Sequence, residues 1–369
     1  MEWLPEQLPT SPQFAWETKL TNQGLGGLTA TSEVVLVCDR DPADLTDVFR
    51  CLDAATGRER WVISYPAPGN LDYGNSPRAA PLIVGKLVYL HGAFGQLSCV
   101  QIDTGEIVWR RDLRSEFLTT ERLVWGHAAS PLEVDGKLIV FPGGAIASVA
   151  ALDLKTGDTV WATPGGPPAF ASPIVATLGG RRQIVGYDKT SLGGWDVADG
   201  RRLWSLEPPR NDDFNVPTPV AVDGRLLVAT ENNGTRLYDF DAQGRIAATP
   251  TAHFDDLAPD THTPVVTNRR VFGIWSGLYC LNLDDGLKLI YTADDDAFHE
   301  YATLIASNDR ILATTLRGEI LLFEARSDNF RLINRLKLFD DESGVYAHPA
   351  IVGNRLYVRA SDRIVCLEL

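Results

Sequence analysis

The sequence predicts an all-β fold: an eight-bladed β-propeller of four-stranded blades. Three observations predict it. An eleven-residue stretch recurs with the same internal spacing, the recurrences are separated by the length of a four-stranded unit, and the two chain ends each carry part of one further unit.

The recurring stretch comes first. ALDLKTGDTVW runs from Ala151 to Trp161, and CLDAATGRERW (Cys51–Trp61), CVQIDTGEIVW (Cys99–Trp109) and GWDVADGRRLW (Gly194–Trp204) share its plan. Each places Trp four residues after a turn glycine. Thr-Gly and Asp-Gly suit such turns because glycine supplies the positive φ of tight hairpins. Around the stretch lie further short strands. In the third unit these are SPLEV, DGKLIVF, SVAALDL and TVWAT, in that order. Short apolar strands between regular turn signals indicate an all-β chain. Asp153 and Thr156 are expected to brace the turn.

The register weakens in later units, where Ala248, Ile290 and Leu332 fall in the tryptophan slot. Successive slots then lie at 61, 109, 161, 204, 248, 290 and 332, a spacing that suits four strands per unit. An eighth unit, HPAIVGNRLYVRASDRIVCLEL, supplies three strands and ends at Leu369. PQFAWETKL, near the other end, carries Trp16 in a strand without partners. The N-terminal strand is therefore expected to complete the last blade, closing the ring and removing the free edges. Residues 1–12 read as an N-terminal extension and 13–369 as a single propeller.

Composition narrows the function. The chain has 369 residues, 44% of them hydrophobic, and no apolar run approaches the ~20 residues of a membrane helix. Lys and Arg total 34 against 48 Asp and Glu, giving 34 − 48 = −14, which argues against nucleic acid as a partner. The N-terminus MEWLPEQLPTSPQ has no signal-peptide pattern, and Met1 is the only methionine. The expected compartment is periplasmic or extracellular if a leader has been removed, and cytoplasmic otherwise. Cys51, Cys99, Cys280 and Cys366 share one repeat position and are expected to be buried thiols. Cys38 with Cys51 is the one pairing to check.

The repeated TG-x-x-x-W after an A-L-D strand resembles the pyrroloquinoline-quinone-like (PQQ-like) propeller repeat, over nearly the whole chain. NSPRAAPLIVGKLVYLHGAFGQL and WGHAASPLEVDGKLIVFPGG are similar to bacterial PQQ-like proteins of the periplasm or cell surface. The resemblance implies that Trp16, Trp61, Trp109, Trp161 and Trp204 dock one blade on the next. The superfamily includes quinoprotein alcohol dehydrogenases and an outer-membrane assembly lipoprotein that is purely a scaffold. The dehydrogenases carry an adjacent Cys-Cys pair against their cofactor and are much longer; no two cysteines here are adjacent. The lipoprotein has a lipidated cysteine near its start, whereas the first cysteine here is Cys38.

A ring brings together the loops leading into the first strands. These hold Arg78, Trp125, His127, Phe170, Phe214, Asn215, His262, His299, Glu300, Tyr346 and His348, four of the six histidines among them. Together they form the candidate ligand-binding mouth. Three readings are open there. His127, His262 and His348, with Glu300 or Asp260, are a tentative set for a divalent metal. Arg78 is a candidate anchor for the carboxylate of an organic ligand. Polar caps satisfying buried backbone are the third. Asp212-Asp213, Asp255-Asp256, Asp294-Asp295-Asp296 and Asp340-Asp341-Glu342 fall in the loops into units five to eight, a pattern of solvated turns or of attraction for Ca²⁺ or a basic partner. GxSxG, P-loop, HExxH, CxxC and EF-hand patterns are absent. The expectation is a monomeric binding or scaffold protein taking a protein or small-molecule ligand on its channel face, with no assured cofactor. The alternative is an enzyme working in the funnel, either a quinone-dependent oxidoreductase or a metal-assisted enzyme on a small or sugar-like substrate.

Overall fold

A computed structural model describes residues 3–22, 24–341 and 344–369. They form eight four-stranded antiparallel sheets. Blades 1 to 7 are consecutive in the chain, spanning 29–66, 82–112, 132–163, 174–206, 220–254, 265–293 and 302–337. Blade 8 takes Ala350–Val352, Arg355–Arg359 and Arg363–Glu368 from the C-terminus and Phe14–Lys19 from the N-terminus. Trp16 pairs with Cys366 in that last ladder, so the ring closes as expected. First strands of neighbouring blades approach one another, at blades 5 and 6, 6 and 7, and 8 and 1, which places them around the axis. Helix is confined to a single turn at Leu113–Glu116 and a 3₁₀ turn at Asp296–Phe298 among the described residues.

The apolar core consists of eight clusters, one in each seam between adjacent blades. The tryptophans are the outer anchors of these seams. A β-bulge follows the residue paired with Trp61, Trp109, Trp161 or Trp204. It lets the turn close while the indole leans toward the next blade. Indole N–H groups then donate to the carbonyls of Ala54 (from Trp16, 3.0 Å), Ile102 (from Trp61, 2.7 Å) and Leu154 (from Trp109, 3.0 Å).

Three residues beyond each accepting carbonyl sits the turn glycine. Gly57 has φ +69, and a methyl group added there would lie 2.5 Å from the Trp16 ring. Glycine is thus required twice over, by backbone conformation and by the indole of the preceding blade. The turn itself is braced by aspartate: Asp153 accepts from the N–H groups of Lys155 and Thr156 at 2.8 and 2.9 Å, and Thr156 in turn accepts from Asp158 N–H.

Trp204 uses a relay instead. Its N–H donates to Gln183 Oε1 at 2.6 Å, and Gln183 Nε2 donates to the Gly244 carbonyl at 3.0 Å.

In the later blades the slot is displaced from its expected position. The residues opposite Leu237, Cys280 and Leu322 are Ala252, Tyr291 and Asn334, rather than Ala248, Ile290 and Leu332. Longer turns between third and fourth strands cause the shift. Asn334 fills its slot with an amide that accepts from Leu8 N–H (3.0 Å) and donates to Leu8 C=O (2.8 Å). Leu4 and Leu8 are buried in the seam between blades 7 and 8. All five cysteines are free and buried. Cys38 lies opposite Phe49, not Cys51, so that pairing does not form.

Candidate functional site

In each blade, the loop into the first strand and the turn between second and third strands emerge on one face. Four aromatic side chains from four successive loops meet there. Trp125 lies 4.6 Å from Phe170, 4.8 Å from Phe214 and 6.4 Å from Tyr73, between ring centroids. Phe214 and Tyr73 remain 48% and 77% exposed, so the cluster forms an apolar platform open to solvent. Its loops are held in left-handed backbone at Tyr73 (φ +65), Asp212 (φ +71) and Asn215 (φ +54). Such residues cost free energy that the surrounding contacts must offset.

The polar residues expected at the mouth take different roles. Arg78 donates to the carbonyls of Ser76, Asp72 and Gly74 at 3.1, 2.7 and 2.8 Å, and burial lowers its pKa to about 10. Its guanidinium thus braces its own loop, and no carboxylate lies within 4 Å of it among the described residues. Asn215 is buried, donating to Lys189 C=O at 3.3 Å and accepting Ala171 N–H.

His127 packs against His91, ring centroids 5.4 Å apart, and neither ring nitrogen of His127 has a hydrogen-bond partner among the described residues. Burial holds both rings neutral, His91 at about 4. His262 bonds the Ala302 carbonyl through Nδ1 at 3.0 Å, and burial lowers it to about 3. His348 is exposed, with its pKa lowered by lost hydration. His299 is exposed and meets Asp294 at 2.6 Å and Asp296 at 3.6 Å. Glu300 accepts a bidentate pair from Arg317, both at 2.9 Å, which lowers its pKa. Tyr346 faces Tyr301 at 6.4 Å.

The tentative metal set is therefore not assembled: His127 is grouped with His91, His262 is tied to a backbone carbonyl, and Glu300 is held by Arg317. Among the described residues no group of three or more His, Cys, Asp or Glu side chains could hold a metal ion. His91 and Tyr73 were not singled out from the sequence. The former could have been found from its place in YLHGAFG, at the turn between second and third strands on the same face.

The acidic loops divide in two. Asp212, Asp255, Asp256, Asp294, Asp296 and Asp340 are exposed. Asp213 is buried and accepts from Asn232 N–H and the Asn233 amide, Asp295 pairs with Arg335 at 2.6 Å, and Asp341 pairs with Arg363. Glu342 lies outside the described residues. The face is thus aromatic over the loops into blades 2 to 5 and acidic over those into blades 5 to 8.

Residues 45–289 match the family described as outer membrane protein assembly factor BamB. The BamB of Shewanella oneidensis is 22% identical over 320 residues, covering 69% of this chain and 75% of that protein. The crystal structure of BamB from Moraxella catarrhalis superposes with a TM-score of 0.65 at 14% identity, covering 97% of this chain and all of that one. A quinohemoprotein alcohol dehydrogenase from Pseudomonas putida HK5 superposes with a TM-score of 0.67 at 13% identity, and 78% of its chain is covered. These structural likenesses concern the fold.

The residues present do not fit a quinone cofactor. All five cysteines are inside the blades, none beside another. Arg78, the cation nearest in role to a carboxylate anchor, is spent on loop carbonyls. A tricarboxylate quinone would also meet the acidic half of the mouth with repulsion. With eight four-stranded blades in one ring and a family match over residues 45–289, about two thirds of the chain, the chain belongs to the BamB family of PQQ-like propellers.

Proposed function

We propose that this protein is a docking scaffold in outer-membrane protein assembly, working as a periplasmic monomer and taking a polypeptide partner on its channel-mouth face. Residues 13–369 act as one propeller, with residues 1–12 as an extension whose Leu4 and Leu8 fill the seam between blades 7 and 8. The reading rests on one observation, the platform contributed by four separate loops in which Tyr73 and Phe214 are exposed and Trp125 and Phe170 half-buried. Aromatic side chains that are both large and rigid dominate interface energetics, and isolated exposed aromatics are common whereas clusters of four are not. The exposed aspartates beside the platform give the partner its chemistry: apolar side chains over the aromatic half, Lys or Arg over the acidic half.

Arg78, His127, Asn215 and His262 support the loops of this face rather than touching the partner, while His299, Glu300, Tyr346 and His348 rim its acidic half. The test is binding of the purified protein to the periplasmic part of an outer-membrane assembly complex. The Trp125→Ala/Phe214→Ala variant is expected to lose at least about tenfold in affinity, as for aromatic hot spots. Wild-type binding should weaken with salt. Unchanged affinity in a folded double variant overturns the platform's role.

A further inference from the structure

We propose that the seam between blades 4 and 5 encloses a binding site for one monatomic anion of chloride size, coordinated by Arg236 together with Tyr187 and Tyr238. This site is independent of the docking reading. A small, partly open cavity lies there beneath the channel-mouth loop, lined by Tyr187, Ser191, Asn215, Arg236 and Tyr238 on its polar side. Each of these five residues is at least nine-tenths buried.

Arg236, in the third strand of blade 5 (Gly234–Tyr238), carries the argument. Its Nη2 donates to Thr230 Oγ1 at 2.9 Å and its Nη1 to the Tyr238 hydroxyl at 3.5 Å, while Nε has no partner. No carboxylate comes within 4 Å of this buried guanidinium among the described residues. Of the nearby acids, Asp213 is engaged by Asn232 and Asn233, and Glu231 accepts the N–H of Phe214 through Oε1 while its Oε2 has no partner; neither pairs with Arg236. A buried cation is ordinarily paired, and a buried donor ordinarily bonded, because leaving either alone is costly.

The second open donor is the Tyr187 hydroxyl, also buried without a partner. Tyr238 accepts from Arg236, which leaves its own hydrogen free to turn into the cavity. Donors therefore predominate around a space that admits one water-sized particle. A water there would satisfy hydrogen bonds but leave the guanidinium charge uncompensated. A halide accepts from every donor and neutralises the charge. The narrowness of the space, about 10 Å³, favours a monatomic ion over phosphate, sulfate or a carboxylate.

The test uses the whole protein at constant ionic strength, with chloride exchanged against gluconate, and crystals soaked in bromide. The melting temperature is expected to rise by about 2 °C from chloride-free buffer to several hundred millimolar chloride. A bromide anomalous peak is expected between Arg236 Nε and the two hydroxyls. Tyr187→Phe, which keeps the cation, should weaken the chloride dependence, and Arg236→Met should abolish it. A water-only cavity in the bromide data, with the same salt response in wild type and Tyr187→Phe, overturns the proposal even if Arg236→Met does not fold.

Discussion

Replacing Trp16 by alanine tests how the ring is held shut. Trp16 is 7% exposed, its N–H bonds Ala54 C=O, and its ring lies 5.8 Å from that of Tyr357. The same carbonyl also accepts from Arg355 (3.2 Å) and the Tyr357 hydroxyl (3.3 Å), so blade 8 grips blade 1 at one point. Truncating a buried Trp costs about 3–5 kcal/mol and the lost hydrogen bond about 1 kcal/mol more, roughly 5 kcal/mol together. Unfolding entropy of about 2.1 cal/mol/K per residue then converts this to a fall of about 6 °C in melting temperature.

A second substitution isolates the contact itself. Gly57→Ala adds a methyl group 2.5 Å from the indole and places alanine at φ +69. Together these should cost about 3 kcal/mol, of which ~1–2 kcal/mol is the backbone cost alone. In a Trp16→Ala background the clash with the indole disappears while the 2.8 Å approach to Thr18 Oγ1 stays, so the double variant should be about 1 kcal/mol more stable than the sum of the singles. Gly136→Ala, at φ +73 with nothing within 4 Å of the added methyl, reports the backbone cost by itself. Calorimetric melting of the four proteins gives the cycle. Strict additivity, or a Trp16→Ala protein that melts like wild type, refutes the docking argument.

Other outcomes follow from the same geometry. His91 and His262, lowered by burial from 6.5 to about 4 and about 3, stay neutral in the fold while the unfolded chain takes up protons. Their stability contribution is therefore complete above pH ~6.5 and is lost as pH falls from there toward the folded values, at up to about 1.4 kcal/mol per pH unit for each group. Urea midpoints between pH 7.5 and 5 should show this slope, and a His91→Gln/His262→Gln variant that keeps the full slope would contradict it. Burial raises the Cys38 and Cys51 thiols to about 12 and Cys99, Cys280 and Cys366 to about 11. A thiol reagent should then label none of the five at pH 8 until urea unfolds the chain; stoichiometric labelling of the native protein would show the seams to be open. Asn334→Ala removes both hydrogen bonds to Leu8 and should cost about 1–3 kcal/mol, read as earlier release of the N-terminal segment to protease. Equal cleavage rates would mean that Leu4 and Leu8 alone hold it.

The ring was legible because its signals are local. A glycine that must have positive φ and an indole four residues later are written within eleven residues and reappear in four units, three of them with the turn braced by Asp53, Asp153 or Asp196. Blade closure was legible because the two chain ends are complementary fragments. The displaced slots in blades 5 to 7 were not, because counting from the turn glycine assumes a fixed turn length. The strand pairings of Leu237, Cys280 and Leu322 choose the slot through cross-strand register instead. The extension shows the same limit: Leu4 and Leu8 look like an ordinary tail until Asn334 leaves a slot that needs filling from outside the blade.

The mouth was harder still, since which loops lie there follows from topology but what their side chains do depends on neighbours in other blades. The histidines of the mouth became a packed pair, a carbonyl-bonded ring and an exposed ring, because each loop presents its histidine at a different distance from its strand. Arg78 looked like an anchor because its charge is visible in sequence, whereas the three carbonyls that absorb it are a property of loop shape. Arg236 is the opposite case. It reads as one more strand residue in GTRLYDF, and only the burial of its guanidinium without a carboxylate makes it chemically conspicuous. A charge left without a carboxylate inside a seam is a stronger pointer to a ligand than any charge at the mouth, where water can solvate it.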